Sequence, residues 1–433
     1  MVSGTCEPRF ARVREEFERN LAERGEVGAS VCVLVDGEPV VDLWGGVADR
    51  ATGREWAGDT VSVVFSTTKG VTALCAHILA SRGRLDFAAP VAAYWPEFGK
   101  EDITVGMVLS HRAGLPVVSE RLAPGAFFDW AGMTAALERE RPVWTPGSRH
   151  GYHGLTFGWL VGEVVRRVSG QSLGEFVRTE IAEPLGLDLW LGLPEEIEPR
   201  VAVMGQADPQ PGDEPPRLTV VAATEPESVQ ARLLLNTGGY LEGGFNTREA
   251  HAAELGAVGA ITNARALAGM YAPLACGGGQ LVDGAALARM STTVSAGRDA
   301  MGLANSRFTY GFVPSVDNRH EPPGERDSMI LSADAFGHPG LGGGLGFASP
   351  ANRMSFGYTM NAMGPSTLLT RAARAWSTPS TPRWATPTTT PRCGADRCRM
   401  RHALVAGFSH HAPPQEAFRG NRIPGSWNFG SFP

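Results

Sequence analysis

The sequence predicts an α+β protein in which one sheet takes strands from both ends of the chain. Strand patterns occur near the start, at 29–35 and 39–44, and return after residue 300. Between them, apolar residues mostly follow helical spacing, and proline- and glycine-containing loops separate the segments. We therefore predict a sheet domain made from 1–65 and 290–375, with a mostly helical domain, 66–289, inserted in the sequence.

The first elements along the chain are predicted to be a helix and a β-hairpin. Apolar residues recur at helical spacing within 8–24, which indicates an amphipathic helix. The runs 29–35 and 39–44 have the composition of strands and are joined by Asp36 and Gly37. An Asp-Gly pair between two strands favours a tight turn, so we expect the two runs to pair as a hairpin.

A second helix is predicted for 66–82, directly after an apolar run at 60–65. Its apolar side chains lie at i, i+3, i+4, i+7 and i+8 counted from Val71, and Gly83 follows as a helix-ending residue. Later apolar runs have a strand-like composition and are predicted as strands: 308–313, 329–332 and 354–360.

The composition is that of a folded protein without a nucleic-acid-binding surface. The 433 residues are 43% hydrophobic and 19% charged, which allows a sizeable core. The net charge of −6 gives no basic patch for nucleic acid, and no run of 18 apolar residues would span a membrane. The first 24 residues lack the apolar core of a signal peptide, and the six cysteines form no Cys-x-x-Cys pair. We therefore expect a cytoplasmic protein with reduced thiols and with neither a nucleic-acid nor a membrane partner. The sequence does not determine its oligomeric state.

The last segment, 376–433, differs in composition from the rest of the chain. It contains eight prolines, and residues 377–390 are mostly Ser, Thr and Pro. Such a segment buries too little apolar surface to offset the entropy of ordering it, so we predict a low-complexity, disordered tail. A natural appendage and a shifted reading frame would both produce this composition.

Lysine is rare in this chain, and one lysine belongs to a candidate nucleophile motif. Of 39 basic residues only Lys69 and Lys100 are lysines, and Lys69 ends the tetrapeptide Ser66-Thr-Thr-Lys. Residues i and i+3 share a helix face, so the Lys69 amine can reach the Ser66 hydroxyl. A desolvated lysine can accept a proton, which arginine cannot, and a serine nucleophile needs such a base. Taken alone, the tetrapeptide is also compatible with a helix N-cap and a solvated lysine.

Two further segments could complete a site around Ser66. Tyr152 ends a turn-rich loop, 144–152, before a predicted helix, which would suit an acid or base beside Lys69; a packed loop aromatic is the alternative. The glycine-rich segment 336–346 lets the backbone approach a ligand closely. Because it matches neither G-x-G-x-x-G nor a P-loop, we do not expect it to bind phosphate.

In this order, the three segments resemble the motifs of the serine β-lactamase and penicillin-binding-protein-like superfamily. The chain is most similar to class C β-lactamase-like carboxylesterases, the family VIII esterases, over about residues 8–370. The stretches that carry the resemblance are VVFSTTKG (63–70), MVLSHRAGLP (107–116), PGSRHGYHGLTFGWLVGE (146–163), NARALAGMYA (263–272) and FGHPGLGGGLGFASP (336–350).

The resemblance implies both a fold and a set of catalytic residues. The implied fold is β-lactamase-like: an antiparallel sheet flanked by helices, a mostly helical domain beside it, and a cleft between them. The resemblance also implies that Ser66 is the acylated nucleophile and that Lys69 activates it. Tyr152 would serve as general base and then as general acid.

The resemblance further implies that one strand lines the substrate site. The Lys-Thr-Gly triplet of the family corresponds here to His338-Pro339-Gly340. The N–H of the next residue, Leu341, would complete an oxyanion hole with the Ser66 N–H.

Two residues depart from the family pattern. Gly154 stands where class C lactamases carry asparagine, and His338 stands in place of the Lys-Thr-Gly lysine. A fixed cation for a substrate carboxylate is therefore missing at pH 7, and an amide-binding group is lost. Both changes favour neutral esters over β-lactams.

Two other patterns in the sequence resemble functional motifs, and we assign neither of them a catalytic or metal-binding role. The sequence 170–174 matches G-x-S-x-G, but a helix precedes it, and Ser172 with Glu175 forms an S-x-x-E capping box. The cysteines and histidines within 393–411 do not have the spacing of a common zinc site. We predict neither a metal nor a cofactor.

These observations predict a serine carboxylesterase that acts on small ester substrates. A β-lactamase or a D-amino-acid peptidase is the alternative enzyme. A catalytically silent member of the fold, acting as a binding or scaffold protein, is the alternative from another class. The joint presence of Ser66, Lys69 and Tyr152 favours an enzyme, because a silent relative does not need all three.

Overall fold

The computed structural model of the protein describes residues 1–208 and 213–364. The predicted tail, 376–433, and the end of the predicted sheet segment 290–375 lie outside the described residues. The division of the chain into a sheet domain and a helical domain stays a prediction.

The described residues form one main sheet of eight strands: β1 (Val2–Cys6), β2 (Gly28–Val35), β3 (Glu38–Asp49), β4 (Arg54–Glu55), β5 (Val313–Pro314), β6 (Phe336–Pro339), β7 (Leu345–Ser349) and β8 (Met354–Met360). Their order is β1-β3-β2-β8-β7-β6-β5, every pair is antiparallel, and β4 pairs with the end of β3. Asp36 and Gly37 form the β2–β3 turn with φ of 55° and 83°, which confirms the predicted hairpin. Because β2 pairs with β8, the two ends of the described chain share one sheet. The predicted α+β class is confirmed.

The α-helices of the described residues are α1 (Ala11–Glu23), α2 (Thr68–Ser81), α3 (Val105–Leu109), α4 (Trp130–Arg139), α5 (Phe157–Ser169), α6 (Leu173–Val177), α7 (Glu183–Leu185), α8 (Arg217–Thr224), α9 (Val229–Leu235), α10 (Arg248–Ala252), α11 (Ala264–Ala275) and α12 (Gly284–Ser291). Short 3-10 turns lie at Pro8–Phe10, Phe65–Thr67, Val91–Ala93, Pro96–Phe98, Ala126–Phe128, Glu195–Arg200, Gly244–Asn246 and Pro350–Asn352, and a π turn at Arg178–Ala182. None of the helices in the described ranges is both long and apolar enough to cross a membrane.

The remaining short strands form three small sheets: Ser62–Val63 with Ile261–Thr262 and Leu189–Trp190, Ser295–Arg298 with Asn305–Phe308, and Gly205–Gln206 with Ala362–Met363.

Helices cover both faces of the main sheet. On one face, α11 packs over Gly346 and Gly357, which are paired neighbours on β7 and β8. A β-carbon on Gly346 would lie 2.6 Å from the Tyr271 ring, and one on Gly357 would lie 2.9 Å from Leu267, so the glycines permit this close approach. On the other face, Leu21 of α1 lies beside Gly45. The core therefore lies between the sheet and its covering helices.

Helix α2 is buried among other elements rather than at the surface. Every residue from Thr68 to Leu79 is buried, and the helix packs against α5, α6 and α12. A helix that is apolar on nearly all sides is stable only in such a position. The residues at its start are thus held by packing on all sides.

Two of the predicted strands are wrong. Within 308–313, only the ends belong to strands, because Thr309 and Phe312 close a turn in which Gly311 has a φ of 93°. Within 329–332, Met329 forms a single bridge with Val316 and no regular strand follows. Apolar composition indicates burial in both cases, and it does not distinguish a packed turn from a strand.

Candidate active site

Ser66 lies in a strained turn just before α2. The predicted helix 66–82 is observed as a 3-10 turn, Phe65–Thr67, followed by α2. Phe65 has a φ of 44°, which is unfavourable for a bulky residue, and its buried ring packs edge-on against Phe245 at 5.3 Å. Such strain persists only when surrounding packing imposes it, and it is frequent at functional sites. The turn leaves Ser66 partly exposed.

Lys69, in the first turn of α2, reaches Ser66 as its spacing predicts. Its Nζ lies 3.1 Å from the Ser66 Oγ, and it donates to the carbonyl oxygens of Gly154 at 2.7 Å and Ala257 at 3.1 Å. Lys69 is fully buried and has no carboxylate partner among the described residues. Burial without a counter-charge holds the pKa of Lys69 well below that of a free lysine.

These contacts suit a neutral amine. A neutral lysine has two N–H donors and one lone pair, and the carbonyls of Gly154 and Ala257 occupy two donors. The lone pair is then available for the Ser66 hydroxyl proton. Lys69 can therefore act as a proton acceptor for Ser66 without losing either backbone contact.

Tyr152 lies next to Lys69 and Ser66. The Lys69 Nζ lies 4.8 Å from its ring centre, and its hydroxyl interacts with the Ser66 side chain. The ring stacks on Phe308 at 5.9 Å and lies 5.0 Å from the ring of His111. Burial raises the pKa of Tyr152 above its ordinary value, so the hydroxyl keeps its proton at neutral pH. The structure thus brings together the three residues that the sequence motifs indicate.

The end of β6 packs directly against the Ser66 turn. A β-carbon on Gly340 would overlap the carbonyl oxygen of Val64 and would lie 2.8 Å from the Thr67 Oγ1. Leu341 follows immediately and is partly exposed. In the described ranges, neither the Leu341 N–H nor the Ser66 N–H has a hydrogen-bond acceptor. Two unused donors therefore lie on adjacent segments, as an oxyanion hole requires.

His338 is a neutral residue in this structure. Its Nδ1 lies 2.7 Å from the Pro339 carbonyl oxygen, which can only accept, so Nδ1 carries the proton. Its Nε2 is buried without a hydrogen-bond partner in the part of the chain that the structure describes. Burial lowers the pKa of His338 to about 3. The position of the family's lysine is therefore uncharged at neutral pH.

Leu233 of α9 fills the space beside Gly154. A β-carbon on Gly154 would lie 3.1 Å from the Leu233 Cδ1 and 3.5 Å from the Tyr152 ring. A longer side chain at this position would have to displace Leu233. The wall of the site next to Lys69 is therefore apolar at the place where class C lactamases carry asparagine.

Ser172 is a helix cap and takes no part in this site. Its Oγ accepts from the Glu175 N–H at 3.1 Å, as the capping-box pattern predicts, and also lies 2.6 Å from a Glu254 carboxylate oxygen. The segment follows α5 rather than a strand, which a nucleophile elbow would require. In the described ranges, no group of three His, Cys, Asp or Glu side chains is arranged to hold a metal. The segment 393–411 lies outside those ranges.

The sequence motifs did not indicate the two backbone carbonyls that hold Lys69. Gly154 lies 85 residues from Lys69 in the chain, and Ala257 lies 188 residues away. A carbonyl group is present in every residue, so no sequence signal marks these two. Asp299, which accepts a hydrogen bond from the Tyr152 N–H at 3.0 Å, was also missed, because a single aspartate outside a motif carries no signal.

Known proteins are similar to this chain in sequence and in structure. The β-lactamase family model matches residues 13–378. The esterase/β-lactamase LipL of Mycobacterium tuberculosis is 33% identical over 396 residues, which cover 84% of this chain and 83% of LipL. The crystal structure of a family VIII carboxylesterase has a TM-score of 0.73 and 34% identity, covering 86% of this chain and 97% of that protein. A penicillin-binding protein homologue from Caulobacter crescentus has a TM-score of 0.73 and 36% identity, again covering 86% of this chain and 97% of that protein.

Proposed function

Since this chain belongs to the β-lactamase family, we propose that it is a serine carboxylesterase that cleaves small carboxylic esters through an acyl-enzyme on Ser66. The family resemblance of the sequence motifs is confirmed by the family match and by the relatives. The observation that carries the proposal is the contact of the Lys69 amine with the Ser66 hydroxyl. The two N–H groups of the same amine donate to the carbonyl oxygens of Gly154 and Ala257.

In the acylation step, the neutral Lys69 amine takes the Ser66 proton as Oγ attacks the ester carbonyl carbon. The carbonyl oxygen becomes an oxyanion, and the N–H groups of Ser66 and Leu341 stabilise it. Gly340 is needed here because it lets β6 approach the Ser66 turn. Removing one such donor in other hydrolases costs on the order of 100- to 1000-fold in kcat.

Tyr152 supplies the proton that the leaving group needs. As the C–O bond breaks, its hydroxyl protonates the departing alkoxide, which leaves as an alcohol. The resulting tyrosinate lies beside the Lys69 ammonium. It takes a proton from the water that attacks the acyl-enzyme and returns it to the Ser66 oxygen as the acid product leaves. The Lys69 ammonium then gives its proton to the Tyr152 tyrosinate, which restores the neutral amine and the protonated hydroxyl of the resting state.

Two features favour neutral esters over β-lactams. A β-lactam carries a carboxylate, and the neutral His338 offers it no cation. Leu233 occupies the space where an amide side chain would otherwise contact the lactam's own amide. His338 and Gly340 are thus proposed to line the substrate site, with Leu341 as an oxyanion donor.

The alternatives share the same nucleophile. A β-lactamase or D-amino-acid peptidase would use Ser66, Lys69 and Tyr152 in the same way, and the chain also resembles a penicillin-binding protein homologue. A silent scaffold would have no use for a desolvated lysine next to a partly exposed serine.

We also propose a cytoplasmic location, which the buried, reduced thiols of Cys32 and Cys75 support.

The proposal is tested with p-nitrophenyl butyrate and the variants Ser66→Ala and Ser172→Ala. Ser66→Ala should abolish hydrolysis and the acyl adduct seen by mass spectrometry after rapid acid quench. Ser172→Ala should keep nearly full activity, at a stability cost of about 1 kcal/mol for the lost helix cap. Loss of activity mainly in Ser172→Ala would overturn the assignment, and wild-type protein that never acquires an adduct would favour the silent scaffold.

A further inference from the structure

Asp299 is a buried carboxylate that binds the backbone of Tyr152. Its Oδ1 accepts three backbone N–H groups, from Tyr152 at 3.0 Å, Met301 at 2.8 Å and Gly302 at 2.8 Å. Its Oδ2 accepts the hydroxyl of Ser306 at 2.8 Å. Asp299 is only 2% exposed and forms no ion pair with a described residue. Four donors thus replace water around a single charge.

Further hydrogen bonds join the segment around Asp299 to the segment around Tyr152, which lies far away in the sequence. The Ala300 N–H donates to the His150 carbonyl oxygen at 3.1 Å, and the His150 Nε2 lies 3.0 Å from the Ser306 Oγ. The loop that contains Asp299 is therefore bound at both ends to the loop that contains Tyr152. Movement of the Tyr152 backbone would break several buried hydrogen bonds at once.

The position of Tyr152 matters because its hydroxyl must meet Ser66. The Tyr152 side chain interacts with Ser66 at one end, and its backbone N–H donates to Asp299 at the other. A displacement of about 1 Å in a group of this kind costs on the order of 100-fold in rate. A residue that touches neither substrate nor Ser66 can therefore control the reaction.

Asp299 also acts on Tyr152 by its charge. The titratable groups around Tyr152 are Lys69 on α2, His111 after α3, His150 and His153 on its own loop, His338 on β6, and Asp299. Burial lowers the pKa values of the four histidines, so they are neutral at pH 7. The negative charge of Asp299 adds to burial in raising the pKa of Tyr152. It therefore favours the protonated hydroxyl.

We propose that Asp299 is a positioning residue for Tyr152: its carboxylate accepts the Tyr152 N–H and holds the Tyr152 backbone in place. The inference rests on the proposed function, in which Tyr152 protonates the leaving group. It adds a buried residue from the segment after β-strand Ser295–Arg298 to the machinery around Ser66.

The variants Asp299→Asn and Asp299→Ala separate position from charge. Asparagine keeps an oxygen acceptor for the three N–H groups and removes the charge, whereas alanine removes both. We expect Asp299→Ala to lower kcat for p-nitrophenyl butyrate by about 100-fold, with KM changed by less than about 3-fold. Asp299→Asn should keep kcat within about 10-fold of wild type at its optimum.

Controls distinguish this role from a structural one. Asp317→Ala removes an exposed aspartate that pairs with Arg319 and should leave kcat and the pH profile unchanged. Melting temperatures of all variants report on folding, and if Asp299→Ala does not fold, Asp299→Asn alone decides. A folded Asp299→Ala with wild-type kcat, or an Asp299→Asn variant whose kcat falls by much more than about 10-fold, would overturn the proposal.

A further readout is independent of ester turnover. The rate at which a fluorophosphonate labels Ser66 needs an activated serine but no hydrolysis of an acyl-enzyme. Slower labelling in Asp299→Ala, at least about 10-fold below wild type, supports the inference even if small esters prove to be poor substrates. Labelling at the wild-type rate would contradict it, whereas absence of ester turnover in the wild type would count against the proposed function alone.

Discussion

Gly340 packs against the carbonyl oxygen of Val64 with no room for a side chain between them. This contact joins the end of β6 to the turn before α2, two segments that are far apart in the sequence. It brings the N–H of Leu341 next to the turn that presents Ser66. The proposed oxyanion hole therefore depends on the absence of a side chain at Gly340.

Replacing Gly340 with alanine should separate these segments. The added β-carbon overlaps the Val64 carbonyl, so β6 or the turn must shift. We expect kcat/KM for p-nitrophenyl butyrate to fall by about 100-fold, as for loss of one oxyanion donor, with a stability cost of about 1–3 kcal/mol. Gly284→Ala is the matched control, because a β-carbon there meets nothing within 4 Å. Equal activity of the two variants would mean that β6 does not contribute to the hole.

Replacing Lys69 with arginine should be nearly as damaging as replacing it with alanine. Arginine keeps a positive charge but cannot become a neutral base, so the rate should fall by about 100- to 10,000-fold in both variants. Lys100→Arg is the control, since Lys100 is the other lysine and donates to the carbonyl oxygens of Phe98, Leu137 and Glu138, away from Ser66. Steady-state kinetics decide the matter, and an active Lys69→Arg variant would show that Lys69 contributes only charge.

Short esters should be far better substrates than β-lactams. The site lacks the cation and the amide group that would bind a lactam, and each missing contact is worth about 10- to 100-fold in kcat/KM. The comparison uses p-nitrophenyl butyrate and a chromogenic cephalosporin with the same enzyme preparation. A kcat/KM for the cephalosporin equal to that for the ester would make the lactamase the better interpretation.

Introducing asparagine at Gly154 should not by itself create a lactamase. Its side chain would collide with Leu233, so Gly154→Asn should lower ester turnover by roughly 10-fold and stability by about 1–3 kcal/mol. Adding Leu233→Ala removes the obstacle and should restore much of the ester activity. If Gly154→Asn alone behaves like the double variant, Leu233 does not limit this space.

Stability should fall between pH 5 and pH 8 because of Glu26. This buried carboxyl is hydrogen-bonded to the Tyr358 hydroxyl at 2.5 Å, and burial raises its pKa to about 8. The folded state binds the proton more tightly than the unfolded state, whose pKa is about 4.3, so stability is highest below that value and decreases towards pH 8. Glu26→Gln should reduce the change in Tm over this interval by at least about 2 °C, whereas the exposed Glu15→Gln should not. Identical Tm profiles for Glu26→Gln and wild type would show that Glu26 does not titrate in this range.

Much of the fold and the centre of the site could be predicted from local pattern. The α1 helix, the β2–β3 hairpin and strand β8 follow from spacing and turn chemistry, which act over a few residues. The contact of Lys69 with Ser66 follows from the helical i, i+3 relation. The strands predicted at 308–313 and 329–332 were wrong, because apolar composition marks burial and not backbone shape.

The sequence by itself determined which side chains are the candidates for the proposed chemistry: Ser66, Lys69 and Tyr152, each marked by a motif. Only the tertiary structure decided their environment. The carbonyls of Gly154 and Ala257 hold Lys69 from 85 and 188 residues away, and Asp299 holds Tyr152 from 147 residues away. These partners are backbone groups or a single aspartate, so no pattern identifies them before the chain is packed. Desolvation, which lowers the pKa of Lys69 and raises that of Tyr152, likewise exists only once distant segments exclude water from both.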